Sequence, residues 1–236
     1  MVTRPRHQAE PLCKLIEAAG GRALRVPVLE IVGSEHDGRV DHVIDHLAQF
    51  DVAIFISKNA VDYALRGIRS RGASIEHLRL AAVGQKTADA LSAYGLRADI
   101  FPRQGYTSED LLQLEEMQSV RGQNIVIFRG EGGRELLGDT LRTRGATVHD
   151  AEVYRRSLPV FDPQTVRSYF EGGQVELVTI TSGEGLRNLI TMCGPPTVPA
   201  SAGVEYLPST IAAVVAGPLF PAVESGSKPM LPEESG

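Results

Sequence analysis

The stretch DVAIFISKNAVDYALRGI, residues 51–68, decides the fold. Its first seven residues are a near-continuous apolar run with β-branched side chains, the pattern of a strand buried on both faces. A small polar turn, Ser57 to Asn59, follows, after which Ala60, Tyr63, Ala64 and Ile68 fall on one face of a helix. Strand, turn and helix in that order make a βα unit. Working outward, RLAAVG (79–84), RADIFP (97–102) and NIVIFRG (124–130) read as three further strands. Thr87, Leu91 and Tyr94, then Leu111, Leu112 and Leu114, then Leu136, Leu137 and Leu141 mark intervening helices. Thr107 or Ser108, with Glu109 and Asp110, supplies a cap hydroxyl and acids for the positive end of one helix. Gly72, Gly95 and Gly145 stand where helices end. From about Phe50 to Tyr154 the chain is predicted to form a parallel sheet flanked by helices.

The two ends of the chain repeat this plan more weakly. Near the start, TRP (3–5) precedes a helical stretch from Gln8 to Ala19. Later come the helix DPQTVRSYFEGG (162–173), the strand VELVTITS (175–182) and the helix EGLRNLITM (184–192). FISKNAVDYAL (55–65) laid over ITSGEGLRNLI (180–190) matches Ser57 to Ser182, a weak internal repeat. Two β-branched segments with proline at an edge, RVPVLEIV (25–32) and TVHDAEVYRRSLPV (147–160), bracket the central block and read as paired linker strands. The expected fold class is α/β, with two domains, each a parallel sheet flanked by helices, joined by a two-stranded linker. Residues 35–150 form the inserted domain, 1–28 and 161–236 the discontinuous terminal domain, and 25–34 and 147–160 the linker strands.

Composition narrows the function classes. The chain has 236 residues, 42% hydrophobic, enough to bury a core. Lys plus Arg number 24 against 29 Asp plus Glu, and the net charge of −5 supplies no overall field toward nucleic acid or anionic lipid. Any anion site must be local. Cys13 and Cys193, the only cysteines, form neither a CxxC motif nor a disulfide framework, so a reducing, cytoplasmic setting is expected. MVTRPRHQAEPL at the start carries charge where an export signal has its apolar run. The longest apolar stretch, Ile211 to Val223, is broken by Gly217, Pro218 and Pro221, so no membrane span is expected. The last 43 residues hold 8 of the 14 prolines and do not read like the rest.

Candidate chemistry collects where strands end and helices begin, because an open parallel sheet binds ligands beyond the carboxyl ends of its strands. RGEGGR (129–134) has three glycines and two arginines able to hold a carboxylate or phosphate, yet fits neither dinucleotide nor phosphate-loop patterns. Its plainer reading is a glycine turn between strand and helix. Ser57, Thr87 and Ser182 can each bond a ligand or simply cap a helix. Lys58 and Lys86 read as solvated, and Tyr154 as a packing aromatic or a proton donor. His42 and His46, spaced i,i+4 beside Asp41 and Asp45, lack a third metal ligand and read as a solvated face. Neither cysteine has a nucleophile's signature, and no serine sits in G-x-S-x-G.

TRP, FISKNAV, AVGQKTADAL, YTSEDLL, RGEGGRELL with RGA, EVYRR and ITSGEGL, in this order over residues 2–190, resemble the bacterial type of the uroporphyrinogen-III synthase family. The resemblance implies an inserted-domain α/β plan and a reaction. The family cyclises the linear tetrapyrrole hydroxymethylbilane to uroporphyrinogen III, inverting the last ring and losing water, in haem biosynthesis. It implies no cofactor and no metal, a monomer, no nucleic-acid or membrane partner, and transient contact with the preceding enzyme of the pathway.

By the same resemblance Tyr154 matches the linker tyrosine that helps the hydroxyl leave, and Ser57, Thr87 and Ser182 match substrate-contacting positions. Arg4, Lys86, Arg129 and Gly130 are added from their loop positions. LPSTIAAV (207–214) resembles the family segment with proline and serine before a helix and nominates Ser209. Two departures stand out: only Met1 and Val2 precede TRP where the family has a full strand, and the segment after Val214 is broken by proline and glycine. The second leaves a further expectation open, a catalytically impaired homologue or a non-catalytic tetrapyrrole-binding module.

Overall fold

A short apolar run becomes a strand here wherever its neighbours can cover both faces, and the order of runs along the chain sets the element order. A computed structural model describes residues 1–34, 38–193 and, for the backbone, 213–216. The first elements are α1 (Arg6–Ala18), β1 (Glu30–Gly33), α2 (Gly38–Asp45), β2 (Val52–Phe55), α3 (Lys58–Ser70), β3 (Arg79–Ala82) and α4 (Gln85–Ser92). There follow α5 (Ser108–Leu112), α6 (Glu115–Gln118), β4 (Asn124–Gly130), α7 (Leu136–Thr143) and β5 (Thr147–Ser157). The chain continues with α8 (Pro163–Glu171), β6 (Leu177–Ile180), α9 (Gly183–Cys193) and β7 (Ala213–Ala216). Contacts divide it into two units, one of Met1–Glu30 with the described residues from Leu158 onward, the other Ile31–Ser157. Among the described residues no helix is long and apolar enough to cross a membrane.

The central unit carries a five-stranded sheet of order β1-β5-β4-β2-β3. The pairs β2–β3, β2–β4 and β4–β5 are parallel. The strand period of two sorts the side chains. Val52, Ile54, Ile125 and Ile127 face Leu111, Leu112, Met117, Leu137 and Leu141 from α5, α6 and α7 in one buried cluster. Phe55 and Phe128, opposite each other in register, stack on the other face with ring centroids 5.1 Å apart. That face is the one α3 covers with Ala60, Val61, Ala64, Leu65 and Ile68. The chain moves from β2 outward to β3 and returns to place β4 on the other side of β2, so strand order reverses between β2 and β4. Open α/β sheets bind ligands at this kind of crevice.

Two sequence expectations change here. RADIFP contributes only the bridge Ala81↔Ile100, because the Asp99 carboxylate accepts from the Leu80 N–H and Pro102 cannot donate. TVHDAEVYRRSLPV is more than a linker: from Thr147 to Tyr154 it pairs in parallel with β4. The open edge of β4 needs a partner for its backbone groups, and buried Ala151, Val153 and Tyr154 give β5 a side to pack.

In the terminal unit Val2 bridges in parallel to both Arg25 and Thr179. Val26 N–H donates to Val2 O and Val28 N–H to Thr3 O, at 3.0 and 3.1 Å. The first half of RVPVLEIV is thus bound within this unit, while Glu30–Gly33 joins the other sheet as β1. Val26, Val28, Phe170, Val178, Ile180 and Leu189 form the core, and Val2, Ala9 and Cys13 a second cluster beneath α1. The sheet is not wholly parallel as expected: β7, Ala213–Ala216, runs antiparallel to β6. Side-chain periodicity encodes which face a strand buries but not its direction, since a ladder edge accepts either sense.

The start of α5 carries a full capping box. Thr107 Oγ1 accepts from the Asp110 N–H at 3.1 Å, and the Asp110 carboxylate accepts from the N–H groups of Tyr106 and Thr107, each at 2.9 Å. The Thr107 hydroxyl also donates to that carboxylate at 2.7 Å, and this bond, with those from the two N–H groups, holds the Asp110 carboxyl below the ordinary aspartate range. A depressed carboxylate stabilises the fold above its unfolded-state pKa, and that stability is lost as pH falls through the folded-state value. Wild type is therefore expected to lose its melting-temperature advantage over Asp110→Asn on acidification below the ordinary aspartate range. A constant difference down to the acid limit would refute this.

Candidate active site

The carboxyl ends of β2, β4 and β5 bring three of the sequence candidates together. β2 runs out into Ser57, which caps α3 by accepting from the Ala60 N–H at 3.1 Å. The Tyr154 hydroxyl lies 3.2 Å from Ser57 Oγ, with either oxygen able to donate. Tyr154 is only 3% exposed. Its ring stacks on Tyr63, centroids 6.0 Å apart and planes inclined by 27°, and Tyr63 is fixed by donating to Ile31 O at 2.8 Å. Gly130 packs directly against the Tyr154 ring. A phenol held this firmly, beside a second hydroxyl at the end of a sheet, can offer a directed proton.

Arg129 has its guanidinium paired within the protein. It is 4% exposed, and its guanidinium donates to Asp150 at 3.1 Å, Glu135 at 3.2 Å and Arg134 O at 3.3 Å. Burial works against its charge, yet the hydrogen bonds of Asp150 and Glu135 outweigh it and hold the pKa above the usual arginine value. A buried cation must be paired, and these pairs lock RGEGGR against β5 instead of leaving the fork free for a carboxylate. Arg129→Leu leaves Asp150 and Glu135 without this partner and is expected to cost ~1–3 kcal/mol of stability. Urea unfolding checks it, and an unchanged midpoint would show that the pairs contribute nothing.

Lys86 and Thr87 open α4 after β3, whose buried cap residue is Gly84. Lys86 is exposed and forms no ion pair among the described residues, while Thr87 is buried and its backbone N–H donates to Gly84 O at 3.0 Å. Gly84 is constrained by its neighbour: a Cβ there would meet the Tyr106 Cα and Cβ at 2.9 Å. In the terminal unit Ser182 Oγ accepts from the Gly185 N–H at 3.0 Å, a cap like that of Ser57. Arg4 is half-buried and without a partner among the described residues. It follows Thr3, whose hydroxyl donates to Thr179 O at 2.5 Å. Ser209 lies outside the described residues.

A cavity of about 220 Å³ lies in the central unit, lined by neither Ser57 nor Tyr154. Its floor is Ile56, Val83 and Ile127, and its polar rim includes Thr107, Ser108 and Arg134. Tyr106 also lines it and is 82% exposed. Arg134 is held at the rim by two bonds to the Glu109 carboxylate, 2.8 and 3.0 Å. Tyr63, which packs on Tyr154, and Tyr106, which lines the cavity, are not singled out by the sequence as candidates. A tyrosine on a helix face reads as packing, whereas Tyr106, exposed beside a glycine, carried a signal in its loop position. The histidine pair is occupied otherwise: His46 Nδ1 bonds His42 O at 2.7 Å, and Arg71 pairs with both Asp41 and Asp45.

A family model described as uroporphyrinogen-III synthase HemD matches residues 10–218. The uroporphyrinogen-III synthase of Proteus mirabilis is 32% identical over 195 residues, covering 81% of this chain and 96% of its own. That of Escherichia coli is 32% identical over 190 residues, covering 80% of this chain and 77% of its own. Among solved structures, a mutant uroporphyrinogen III synthase from the extremely thermophilic bacterium Thermus thermophilus matches with a TM-score of 0.56 at 21% identity. The match covers 81% of this chain and 75% of that one, and at this identity the likeness is one of fold.

Proposed function

The chain belongs to the uroporphyrinogen-III synthase family, and we propose that it cyclises hydroxymethylbilane to uroporphyrinogen III with Tyr154 as the acid that releases the terminal hydroxyl. The observation that carries this role is the buried phenol held 3.2 Å from Ser57 Oγ at the ends of the central strands. Protonation turns the hydroxyl into a better leaving group as its C–O bond breaks and water departs. The proton released from the pyrrole carbon at ring closure returns to the phenolate, so the residue ends the cycle as it began. Ser57, itself fixed by the Ala60 N–H, orients the phenol.

The larger task is conformational. The open chain closes without inversion unaided, so the enzyme must favour the pose in which the last ring inverts. The substrate carries carboxylates on every ring, which a protein of net charge −5 has to meet locally. Helix-start N–H groups and hydroxyls do this without a basic surface. Thr87, Lys86, Arg4 and Ser182 are the proposed substrate contacts. Arg129 and Gly130 support the site from behind.

The same reading takes residues 35–150 as an inserted α/β domain, 1–28 and 161–236 as the terminal domain, and 25–34 and 147–160 as the strands that join them. It places a monomer in the cytoplasm, supplied by the enzyme that makes the linear tetrapyrrole. The test is to give purified protein freshly generated hydroxymethylbilane and resolve the product isomers. The type III isomer, formed above the spontaneous rate, is expected. Only the type I isomer at the unaided rate would overturn the activity.

A further inference from the structure

We propose that Gly130 is a positioning residue that aims the Tyr154 phenol, an inference that rests on the acid role given to Tyr154 above. The strands β4 and β5 run in register from Asn124↔Thr147 to Arg129↔Glu152, and then the register shifts so that Gly130 faces Tyr154. One residue of β5 is passed over at that step, which bends the strand and re-aims the side chain that follows. The Glu131 N–H fastens the new register by donating to Tyr154 O at 2.9 Å.

What makes glycine necessary there is the ring and not the backbone. Gly130 is absent from the glycines with positive φ, so its backbone conformation is open to any residue. A Cβ at Gly130, however, would lie 2.6 Å from Tyr154 Cζ, 2.7 Å from Cε2 and 2.9 Å from the hydroxyl oxygen. These are the atoms that carry the proton and point it toward Ser57. The ring cannot retreat freely, because it also packs on Tyr63, whose hydroxyl is tied to Ile31 O. An alanine at 130 therefore moves the phenol off Ser57 before it disturbs anything else nearby, and a misplacement of about 1 Å is enough to cost a large factor in rate.

Kinetics of Gly130→Ala, Tyr154→Phe and the double variant test this. Gly130→Ala is expected to lower kcat ~10–100-fold with KM within about twofold, and to cost less than about threefold when added to Tyr154→Phe. Equal losses in both backgrounds, or a rise in KM alone, would overturn the proposal, the latter by making Gly130 a direct substrate contact. Melting temperatures supply a second cycle if Gly130→Ala folds poorly. The alanine should lower Tm in the wild-type background and leave it unchanged in Tyr154→Ala, where the ring is gone. A penalty that persists without the ring would also overturn it. Full turnover by Tyr154→Phe alone would sink the acid role instead, while the melting cycle would still decide whether the ring dictates the glycine.

Discussion

Tyr154→Phe is expected to lower kcat ~100-fold while leaving KM within about twofold. Phenylalanine keeps the ring that packs on Gly130 and stacks with Tyr63, so the substrate surface and the β4–β5 junction stay as they are. What disappears is the hydroxyl and its 3.2 Å contact with Ser57 Oγ. A loss of this size fits the removal of one general acid, while the lost hydrogen bond alone accounts for only ~0.5–1.5 kcal/mol of stability. The isomer ratio sharpens the result. As the enzymatic step slows, unaided closure competes and the type I fraction should rise. Unchanged turnover would leave Tyr154 as a packing residue and move the burden of catalysis to substrate pose.

Phe128→Ala is expected to destabilise the protein by ~3–5 kcal/mol, read as a fall in the urea midpoint at unchanged slope. Phe128 is fully buried, sits on the strand between β2 and β5, and stacks on Phe55 with planes 24° apart. Truncation removes the transfer energy of the ring and leaves a cavity between the sheet and α3 that neighbours on a parallel ladder cannot close. Such a loss is a large share of the ~5–15 kcal/mol that holds a typical domain together. Val160, fully exposed, is the matched control, and Val160→Ala should stay within ~0.5 kcal/mol of wild type. A Phe128→Ala midpoint equal to that of the control would show that the central sheet is not the stabilising core.

Much of this molecule is legible in its sequence. NIVIFRG is a strand over its full length because seven residues of mostly apolar, β-branched character have no other way to bury both faces. Ser57 and Thr107 cap helices as their positions after a strand or loop required. RADIFP was less faithful, since the Asp99 side chain competes for the ladder bond that a strand would have used. Two arginines in a glycine loop suggest an anion site, and only the positions of Asp150 and Glu135 reveal that Arg129 is paired in a buried ion network.

The sequence by itself determined the α/β character, the succession of strands and helices, the hydroxyl-bearing turns and the family to which the ordered motifs belong. The first three depend on side chains two to four residues apart, a range over which periodicity and capping act, and the family on the order of short motifs along the chain. Tertiary structure alone decided that β4 lies between β2 and β5, that the register breaks after Arg129, and that the phenol of Tyr154 meets a serine 97 residues earlier. Those choices depend on which strand edges are paired and how rings pack across them, and no local spacing in the chain encodes such contacts.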